Sequence, residues 1–384
     1  GTIAKVETFP NATGRKHAAG WGAQFYANRP EVHQYLQELA KVYRPGFVTV
    51  GEVAFGAPDA ALRFADQEHS ELREVFIFGH VNIDWSESKF NPKPFDLMRF
   101  KQVITGQQKM AHQKAWLGNY LENHDQLRAV SRFGDAVKHR EASGKVLATM
   151  LMTLEGTPFI YQGQEIGMTN LDPAQVKSID EVDDIEARSY YHAHLAGGED
   201  GRTLFAHIVA RNRDNVRSVM QWDNSPYAGF SAARPAMPVN ANFSSINVAA
   251  SNKDPRSLLN FYRQLIALRK THPSWVVGTF ENIAADDPHI FAYRRDVQGE
   301  SSLVLLNFSG EQQRIRVAAS AGLTTVRETY SSNGTPGAAD SGGAVVLGPW
   351  EARVYVGSRA VLQACAAPGA LTPPAHLGWA SMGK

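Results

Sequence analysis

Cysteine is almost absent from this chain, since Cys365 is the only one among 384 residues. A framework of intrachain disulfides is therefore excluded, and the fold must be held together by packing. The sequence also lacks any apolar run approaching the ~20 residues that cross a bilayer, and no signal peptide opens it. We accordingly expect a cytoplasmic protein that has no membrane partner.

An excess of charge of either sign is missing as well. The chain has 39 Lys and Arg residues against 38 Asp and Glu residues, which gives a net charge of +1. Proteins that capture nucleic acids carry a basic surplus, so we expect no nucleic-acid partner. With 43% hydrophobic and 20% charged residues, the composition is that of a globular protein long enough for two or three domains.

What the sequence does contain is a series of four short apolar runs, each followed by a polar cluster. β-branched and aromatic residues dominate the runs, which are too short for buried helices and therefore predict strands. They read FVTVGEV, VFIFGH, LGNYLENHD and TPFIYQGQE, and they occupy residues 47–53, 75–80, 117–125 and 157–165.

Helical patterns flank these runs. Residues 29–43 and 143–156 repeat apolar side chains every three or four positions, and Gly156 predicts the end of the second helix. Strands that alternate with helices predict an α/β fold with a parallel sheet, either open or closed into a barrel. The predicted apolar faces consist of Val32, Tyr35, Leu36, Leu39 and Tyr43 in the first helix, and of Val146, Leu147, Met150, Leu151 and Leu154 in the second.

The C-terminal third follows a different pattern. A strongly periodic helix is predicted over 256–273 and ends at Pro273. From residue 278 apolar and polar residues alternate in four short runs, HIFAYRRD, SSLVLLNFSG, QRIRVAA and EARVYVG, which is typical of a small antiparallel β-domain. The tail over 358–384 shows neither period and is rich in Ala and Pro, so we expect it to be disordered.

Four polar residues stand side by side at the end of the third run: Glu122, Asn123, His124 and Asp125. Such side chains must be hydrated or hydrogen-bonded, so packing alone does not account for a cluster of them. Folds built on parallel sheets keep their chemistry where the strands end. The end of the third run is therefore a predicted functional site.

Five stretches together carry a family resemblance, and they occur in the family's order: VGEVAFG, YLENHDQLRAVSRFGD, EGTPFIYQGQEIGMTNLD, SIDEVDDIEARSYY and RNRDNVRSVMQWDNSPYAGFS. They resemble the α-amylase superfamily, glycoside hydrolase family 13, and most of all its α-glucosidase and oligo-1,6-glucosidase branch. The resemblance implies a (β/α)8 TIM barrel with a C-terminal β-sandwich. It aligns the four runs with barrel strands five to eight, so residues 1–277 are expected to form the second half of a barrel. Residues 278–357 would then form the antiparallel β-sandwich, ahead of the tail.

The resemblance implies retaining cleavage of α-glucosides, with Glu52 as the catalytic acid/base. Retention needs one carboxyl group that protonates the leaving oxygen and later deprotonates water. That acid must keep its proton near neutral pH, which requires partial burial or a nearby negative charge. The alternative interpretation of Glu52 is a solvated residue in a loop between strand and helix.

Asp125 resembles the family's third carboxylate, which hydrogen-bonds sugar hydroxyls and stabilises the positively charged transition state. His124 is expected to hold the same sugar, although a His beside an Asp is more often a structural pair. Arg128, Arg213 and Arg217 are further predicted substrate-binding residues. For the last two, the alternative is a surface ion pair with Asp214.

Other conspicuous residues are predicted to be structural. Gln162 and Glu165 are expected to shape the barrel after its last strand. The acidic run over 180–186 reads as a solvated helix face, because it lacks the spacing of a calcium loop. We expect no cofactor and no metal site.

The family's nucleophile is not found in this sequence. It is an Asp in a pattern like G-F-R-x-D, and Thr2 and Ile3 match the residues just after it, so Gly1 stands at its position. We therefore expect the isolated chain to be inactive. Either it pairs with a complementing N-terminal half chain, or it rearranges, or it is part of a longer enzyme. Thr2 also hints at cleavage of α-1,4 linkages, whereas Val there accompanies α-1,6 cleavage.

The expected substrates are small malto- or isomalto-oligosaccharides or sucrose, and two alternatives remain. A sucrose isomerase typically carries an arginine-rich RLDR loop after the sixth strand, where this chain reads NIDWSESKFNPKPFDL, which favours a glucosidase or transglucosidase. A non-catalytic scaffold subunit with this fold usually loses the catalytic carboxylates, which this chain keeps.

Overall fold

The structure is a computed structural model that describes residues 29–44, 46–54, 58–66, 71–317, 323, 325–334 and 344–358. The positions that bear on the predicted nucleophile and linkage, residues 1–3, lie outside the described residues, as does Cys365. Among the described residues, no helix is long and apolar enough to cross a membrane.

The described part combines short parallel strands, helices and a longer antiparallel sheet. The helices are α1 (Glu31–Ala40), α2 (Pro58–Leu62), α3 (Leu97–Ala111), α4 (Ala129–Arg132), α5 (Arg140–Thr153), α6 (Ile185–Ala196), α7 (Gly201–Arg211), α8 (Val248–Lys253), α9 (Leu258–Thr271) and α10 (Pro273–Val277). The strands are β1 (Val50–Val53), β2 (Glu74–Ile77), β3 (Gly118–Asn119), β4 (Thr157–Pro158), β5 (Thr279–Asn282), β6 (Ile290–Val297), β7 (Glu300–Asn307), β8 (Gln313–Ile315), β9 (Thr325–Ser331), β10 (Val345–Leu347) and β11 (Ala352–Ser358).

The first four strands run parallel and follow one another in chain order. β1 pairs with β2, and β3 pairs with β4. A parallel bridge between Val75 and Leu117 joins the two pairs. Each of the four predicted runs thus contains a strand, although every strand is shorter than its run. All four strands end at one edge, which is where the polar clusters follow.

Helix α1 packs differently from its prediction. Tyr35 and Leu39, two members of the predicted apolar face, are 55% and 44% exposed. The helix is anchored instead by His33, whose ring nitrogen lies 2.7 Å from the buried Glu71 carboxylate and whose ring packs on Phe64. The predicted face was wrong at these positions because a polar residue with a buried partner takes the inner place.

Helix α5 confirms its prediction, since all five residues of its predicted face are at most 2% exposed. It is buried on almost every side, and its hydroxyls bond within the helix or to neighbours: Thr153 Oγ1 contacts the Tyr293 hydroxyl at 2.5 Å. The chain leaves the helix through Gly156, whose φ of +116° suits glycine, and a Cβ there would lie 2.3 Å from the Leu117 carbonyl.

The antiparallel strands form a five-stranded sheet in the order β5-β6-β7-β11-β9 and a separate pair, β8 with β10. The two sheets share an apolar cluster that includes Ile290, Leu305 and Leu347. β5, β9 and β10 were not predicted from the period-two pattern. Ser358, the first residue of the predicted tail, ends β11, and the rest of that tail lies outside the described residues.

The largest hydrophobic cluster joins the helices to this sheet. It runs from Phe100 and Met150 through Trp275 to Tyr293 and Val304, all of which are fully buried. Leu121 and Ala129, which follow β3, belong to this cluster, whereas Val53, Val75, Ile77 and Leu117 in and beside the parallel strands form a separate one. The loop after β3 therefore rests on the core that is shared with the antiparallel sheet.

Candidate active site

Glu52 lies in β1, beside Phe76 of β2, close to the edge at which the parallel strands end. Its side chain is exposed among the described residues, so the partial burial that we expected of an acid is not seen in them. Glu52 nevertheless interacts electrostatically with Tyr120, which stands just before the polar cluster at 122–125. Burial and, after it, the negative charge of Glu52 raise the pKa of the Tyr120 hydroxyl.

Tyr120 belongs to an aromatic wall at this edge. Its ring lies 5.3 Å from that of Phe76, 5.9 Å from that of Phe78 and 4.7 Å from that of His80. Burial and the nearby charge of Arg132 lower the pKa of His80 to about 3, so its imidazole is neutral at ordinary pH. Among the described residues, neither nitrogen of His80 has a hydrogen-bond partner.

Asp125 lies half-buried in the loop after β3, between two guanidinium groups. Its carboxylate accepts a hydrogen bond of 2.7 Å from Arg217 Nη2 and lies 3.5 Å from Arg213 Nη1. His124 Nε2 is 3.5 Å away on the other side. Arg217 also donates to the His124 carbonyl at 3.0 Å, and Asn123 Oδ1 accepts from the Asp125 amide at 2.8 Å. The carboxylate is therefore oriented from several directions.

Arg213 is held in place by a second carboxylate, that of Asp184. Asp184 accepts from the Arg213 amide at 2.9 Å and from its guanidinium at 2.6 Å, and it caps the N-terminus of α6. Burial would raise the pKa of Asp184, but the hydrogen bonds from Arg213 hold it below its usual value. Asp214, the alternative partner that we considered for the arginines, instead accepts from the amide of Asp183.

Arg128, which we predicted to contact the substrate, is buried among the described residues. Its side chain is 1% exposed and pairs with the equally buried Glu122 at 3.0 Å. Its guanidinium also donates to the carbonyls of Gln162 and Val216, at 2.7 and 3.3 Å. A cationic residue in a polar cluster is expected to face solvent, whereas Arg128 faces inward among the described residues, and its contact with substrate stays a prediction. Arg128 instead ties the loop after β3 to two neighbouring segments.

Two further sequence interpretations can be compared with the structure. Glu165 accepts from the amide of Gly163 at 2.8 Å, in keeping with a structural role. The acidic run over 180–186 is only partly a solvated face, because Asp184 is buried while Asp180 and Glu186 are exposed. Within the described part of the chain, no group of three or more His, Cys, Asp or Glu side chains could hold a metal ion.

Sequence reasoning missed the buried residues that hold the arginines of the site region in place, above all Asp84 and Asp184. Asp184 had a detectable signal, since an Asp just before a helix is a favoured N-cap and therefore has a structural task. Asp84 had no comparable local signal, because its partners are 48 and 127 positions away. Both are 2% exposed.

The structure thus brings His124, Asp125, Arg213 and Arg217 together, and it places Glu52 two strands away at the same edge. An oriented, half-exposed carboxylate can bind hydroxyl groups and stabilise a positive charge that develops next to it. The guanidinium groups can bind further oxygen atoms of a polar ligand.

Comparison with known proteins identifies the family and the fold of this chain. The alpha-amylase family, through its catalytic domain, matches residues 1–278. An oligo-1,6-glucosidase of Parageobacillus thermoglucosidasius is 40% identical over 360 residues, which cover 92% of this chain and 63% of that protein. This chain therefore spans somewhat less than two thirds of the length of that relative.

Two solved structures have the same fold. The trehalose-6-phosphate hydrolase of Bacillus licheniformis aligns with a TM-score of 0.80 and 31% identity, covering 88% of this chain and 61% of that one. The isomaltulose synthase of Klebsiella sp. LX3 aligns with a TM-score of 0.82 and 31% identity, covering 92% and 63%. The family match, the identity and the common fold agree, and this chain belongs to the alpha-amylase family.

Proposed function

We propose that the site belongs to a retaining α-glucosidase that acts on small malto- or isomalto-oligosaccharides or sucrose. The observation that carries the proposal is the Asp125 carboxylate, half-exposed at the strand ends and oriented by Arg213, Arg217 and His124. The names of the matched relatives, an oligo-1,6-glucosidase and a trehalose-6-phosphate hydrolase among them, point to the same class of reaction.

In the proposed reaction Glu52 protonates the glycosidic oxygen as the bond to the leaving sugar breaks. The same carboxylate then takes a proton from the water that releases the glucosyl group. Asp125 accepts hydrogen bonds from sugar hydroxyls and stabilises the positive charge on the glucosyl ring in the transition state. His124 and Arg217 hold that sugar, and Arg213 keeps Asp125 oriented.

Retention also requires a nucleophilic carboxylate on the other face of the sugar. The family resemblance places it at position 1, which is Gly1 in this sequence. We propose that a complementing N-terminal barrel half supplies it, and that β1 to β4 are barrel strands five to eight beside that half. The two antiparallel sheets are then the β-sandwich that follows the barrel.

A chimeric enzyme tests the proposal. The N-terminal part of the Parageobacillus oligo-1,6-glucosidase, up to and including its nucleophilic Asp, is fused to this chain from Thr2 onward, so that the Asp replaces Gly1. Turnover is then measured with isomaltose, maltose and sucrose. We expect release of glucose as the α-anomer, and loss of turnover in the Glu52→Gln version. A folded chimera without turnover on any α-glucoside contradicts the proposal and favours a non-catalytic scaffold.

The similarity to an isomaltulose synthase supports a second candidate, in which the glucosyl group of sucrose returns to the bound fructose. The same carboxylates serve both reactions, since they differ only in what accepts the glucosyl group. Product analysis of the chimera on sucrose separates them. Free glucose and fructose indicate hydrolysis, whereas a disaccharide isomer of sucrose indicates isomerisation.

A further inference from the structure

Asp84 lies in a buried ionic cluster beneath the candidate site, in the loop after β2. Its side chain is 3% exposed and contacts two arginines. Arg132 donates from Nε to Asp84 Oδ2 at 2.9 Å and from Nη2 to Oδ1 at 2.5 Å. Arg211 donates from Nη1 to Asp84 Oδ2 at 2.8 Å and from Nη2 to the Asp84 carbonyl at 2.8 Å.

The first arginine leads to the segment that carries Asp125. Arg132 ends α4, and its remaining Nη1 donates to Gln126 Oε1 at 2.9 Å. Gln126 is the residue after Asp125, and its amide donates to the Asn123 carbonyl at 3.2 Å to close a tight turn. Asp84 is thereby connected through two hydrogen-bonded side chains to the turn that contains Asp125.

The second arginine leads to the segment that carries the guanidinium groups around Asp125. Arg211 is the last residue of α7, and Arg213 follows it after only one residue. That residue, Asn212, accepts through its side chain from the amide of Asp214 and so shapes the turn that contains Arg213. The Asp84 carboxylate is therefore linked, through Arg132 and Arg211, to both segments whose side chains meet at Asp125.

A role in packing alone does not explain this arrangement. Two cations and one anion in a buried place lose much of their hydration, and an apolar cluster of the same volume would often be at least as stable. A planar carboxylate with a bidentate contact fixes its partners in angle and distance, which apolar contacts do less sharply. Sites that need sub-ångström placement use such supporting contacts.

We propose that Asp84 is a positioning residue, which sets the placement of Asp125 relative to Arg213 by holding the segments over 123–126 and 211–217 at once. The consequence for catalysis rests on the function proposed above, whereas the structural coupling does not. Asp84 touches no substrate in this proposal and acts through Arg132 and Arg211.

The coupling is tested in the full 384-residue chain by amide hydrogen exchange. In Asp84→Asn we expect exchange to accelerate roughly ten- to hundred-fold in both segments, because a charge-assisted contact is lost on each side. The matched control is Glu351→Gln, which removes a buried carboxylate paired with Arg353 at 2.6 Å in the antiparallel sheet. Exchange in that control should accelerate around residue 351 and stay unchanged in the two segments.

Variants of the two arginines test the two segments separately. Arg132→Lys keeps a charge but loses the contact with Gln126, so only the segment over 123–126 should loosen. Arg211→Lys should loosen only the segment over 211–217. If Asp84→Asn fails to fold, these two variants decide the question. Equal acceleration throughout the chain, or no change in either segment, overturns the proposal.

Kinetics of the chimera provide a readout that a purely structural role would not change. Since Asp84 sets the placement of a group that acts in the transition state, Asp84→Asn should lower kcat for isomaltose roughly ten- to hundred-fold and leave KM almost unchanged. Combined with Gln126→Leu, the loss should be less than the product of the two separate losses. An unchanged kcat in a folded, less stable variant overturns the proposal. An inactive unsubstituted chimera would instead contradict the proposed function, and the exchange results would stand.

Discussion

Glu122 and Asp125 lie three residues apart in the same loop, and their surroundings are opposite. Glu122 is 2% exposed, pairs with Arg128, and accepts from the amide of Ala129. The side chain of Asp125 is 36% exposed, and the arginine that it binds most closely, Arg217, is 40% exposed. A pair of a carboxylate and a guanidinium group therefore occurs once beneath the loop and once at its rim.

The difference gives the two ion pairs of this loop different roles, one in holding the loop in place and the other in contacts with a ligand. A buried pair is dry and fixed, so removing one partner leaves a charge that cannot be hydrated. A rim pair is partly hydrated, so it contributes little to stability but can exchange its contacts for those of a ligand. The buried layer, formed by Glu122 with Arg128 and by Asp84 with its two arginines, should govern stability. The rim should govern activity.

The largest effect should be a loss of activity when Glu52, which is exposed like the rim pair, is replaced. Glu52→Gln in the chimera should lower kcat roughly 10²- to 10⁴-fold with isomaltose, because the leaving oxygen is no longer protonated. An aryl α-glucoside with a good leaving group should lose much less. The free energy of unfolding should change by less than about 0.5 kcal/mol, because Glu52 is exposed among the described residues. An equal loss with both substrates would contradict the assignment of Glu52 as the acid.

In the buried layer the effect should appear in stability. Arg128→Met should lower the free energy of unfolding by about 3–5 kcal/mol, because Glu122 is left buried without its partner. Arg217→Met, the matched change at the rim, should cost less than about 1 kcal/mol. Denaturant unfolding of both variants measures the difference. If they cost the same, the contrast between buried layer and rim is wrong.

His80 extends the contrast to pH. The unfolded chain binds a proton at His80 near pH 6.5, whereas in the folded chain the pKa is about 3, because burial and Arg132 disfavour the imidazolium. In this window the unfolded state binds more protons, so stability should fall as the pH drops, by up to ~1.4 kcal/mol per pH unit. His80→Leu should remove this part of the slope, which unfolding at a series of pH values would show. An unchanged slope would mean that the pKa of His80 is the same in the folded and the unfolded chain.

The smallest effect should come from an exposed pair beside the site. Lys89 Nζ lies 2.7 Å from Glu186, whose side chain is 55% exposed. Lys89→Met should cost about 0.2–1 kcal/mol in unfolding free energy, and the cost should shrink at high salt. A loss of several kcal/mol would show that this surface pair belongs to the buried layer.

Local features of the sequence were sufficient to predict much of the fold. The period of α5 predicted its buried residues, and the four apolar runs located the four parallel strands. The polar cluster at 122–125 located the site, because side chains of this kind cannot all be buried without partners. Residue chemistry alone could not distinguish Glu122 from Asp125, since both are acidic residues of one loop, and only the family resemblance singled out Asp125.

The sequence by itself therefore predicted the order of the main elements, the position of the candidate site along the chain and two carboxylates, Glu52 and Asp125, of the proposed reaction. These follow from short-range periodicity, from the chemistry of single side chains and, for the two carboxylates, from the family resemblance. Only the tertiary structure decided that Arg128 is buried, that Arg213 and Arg217 meet at Asp125, and that Asp84 joins Arg132 to Arg211. The contacts at Asp84 and Asp125 join residues 48 to 127 positions apart. Their free energy depends on burial, which arises only when distant segments pack together.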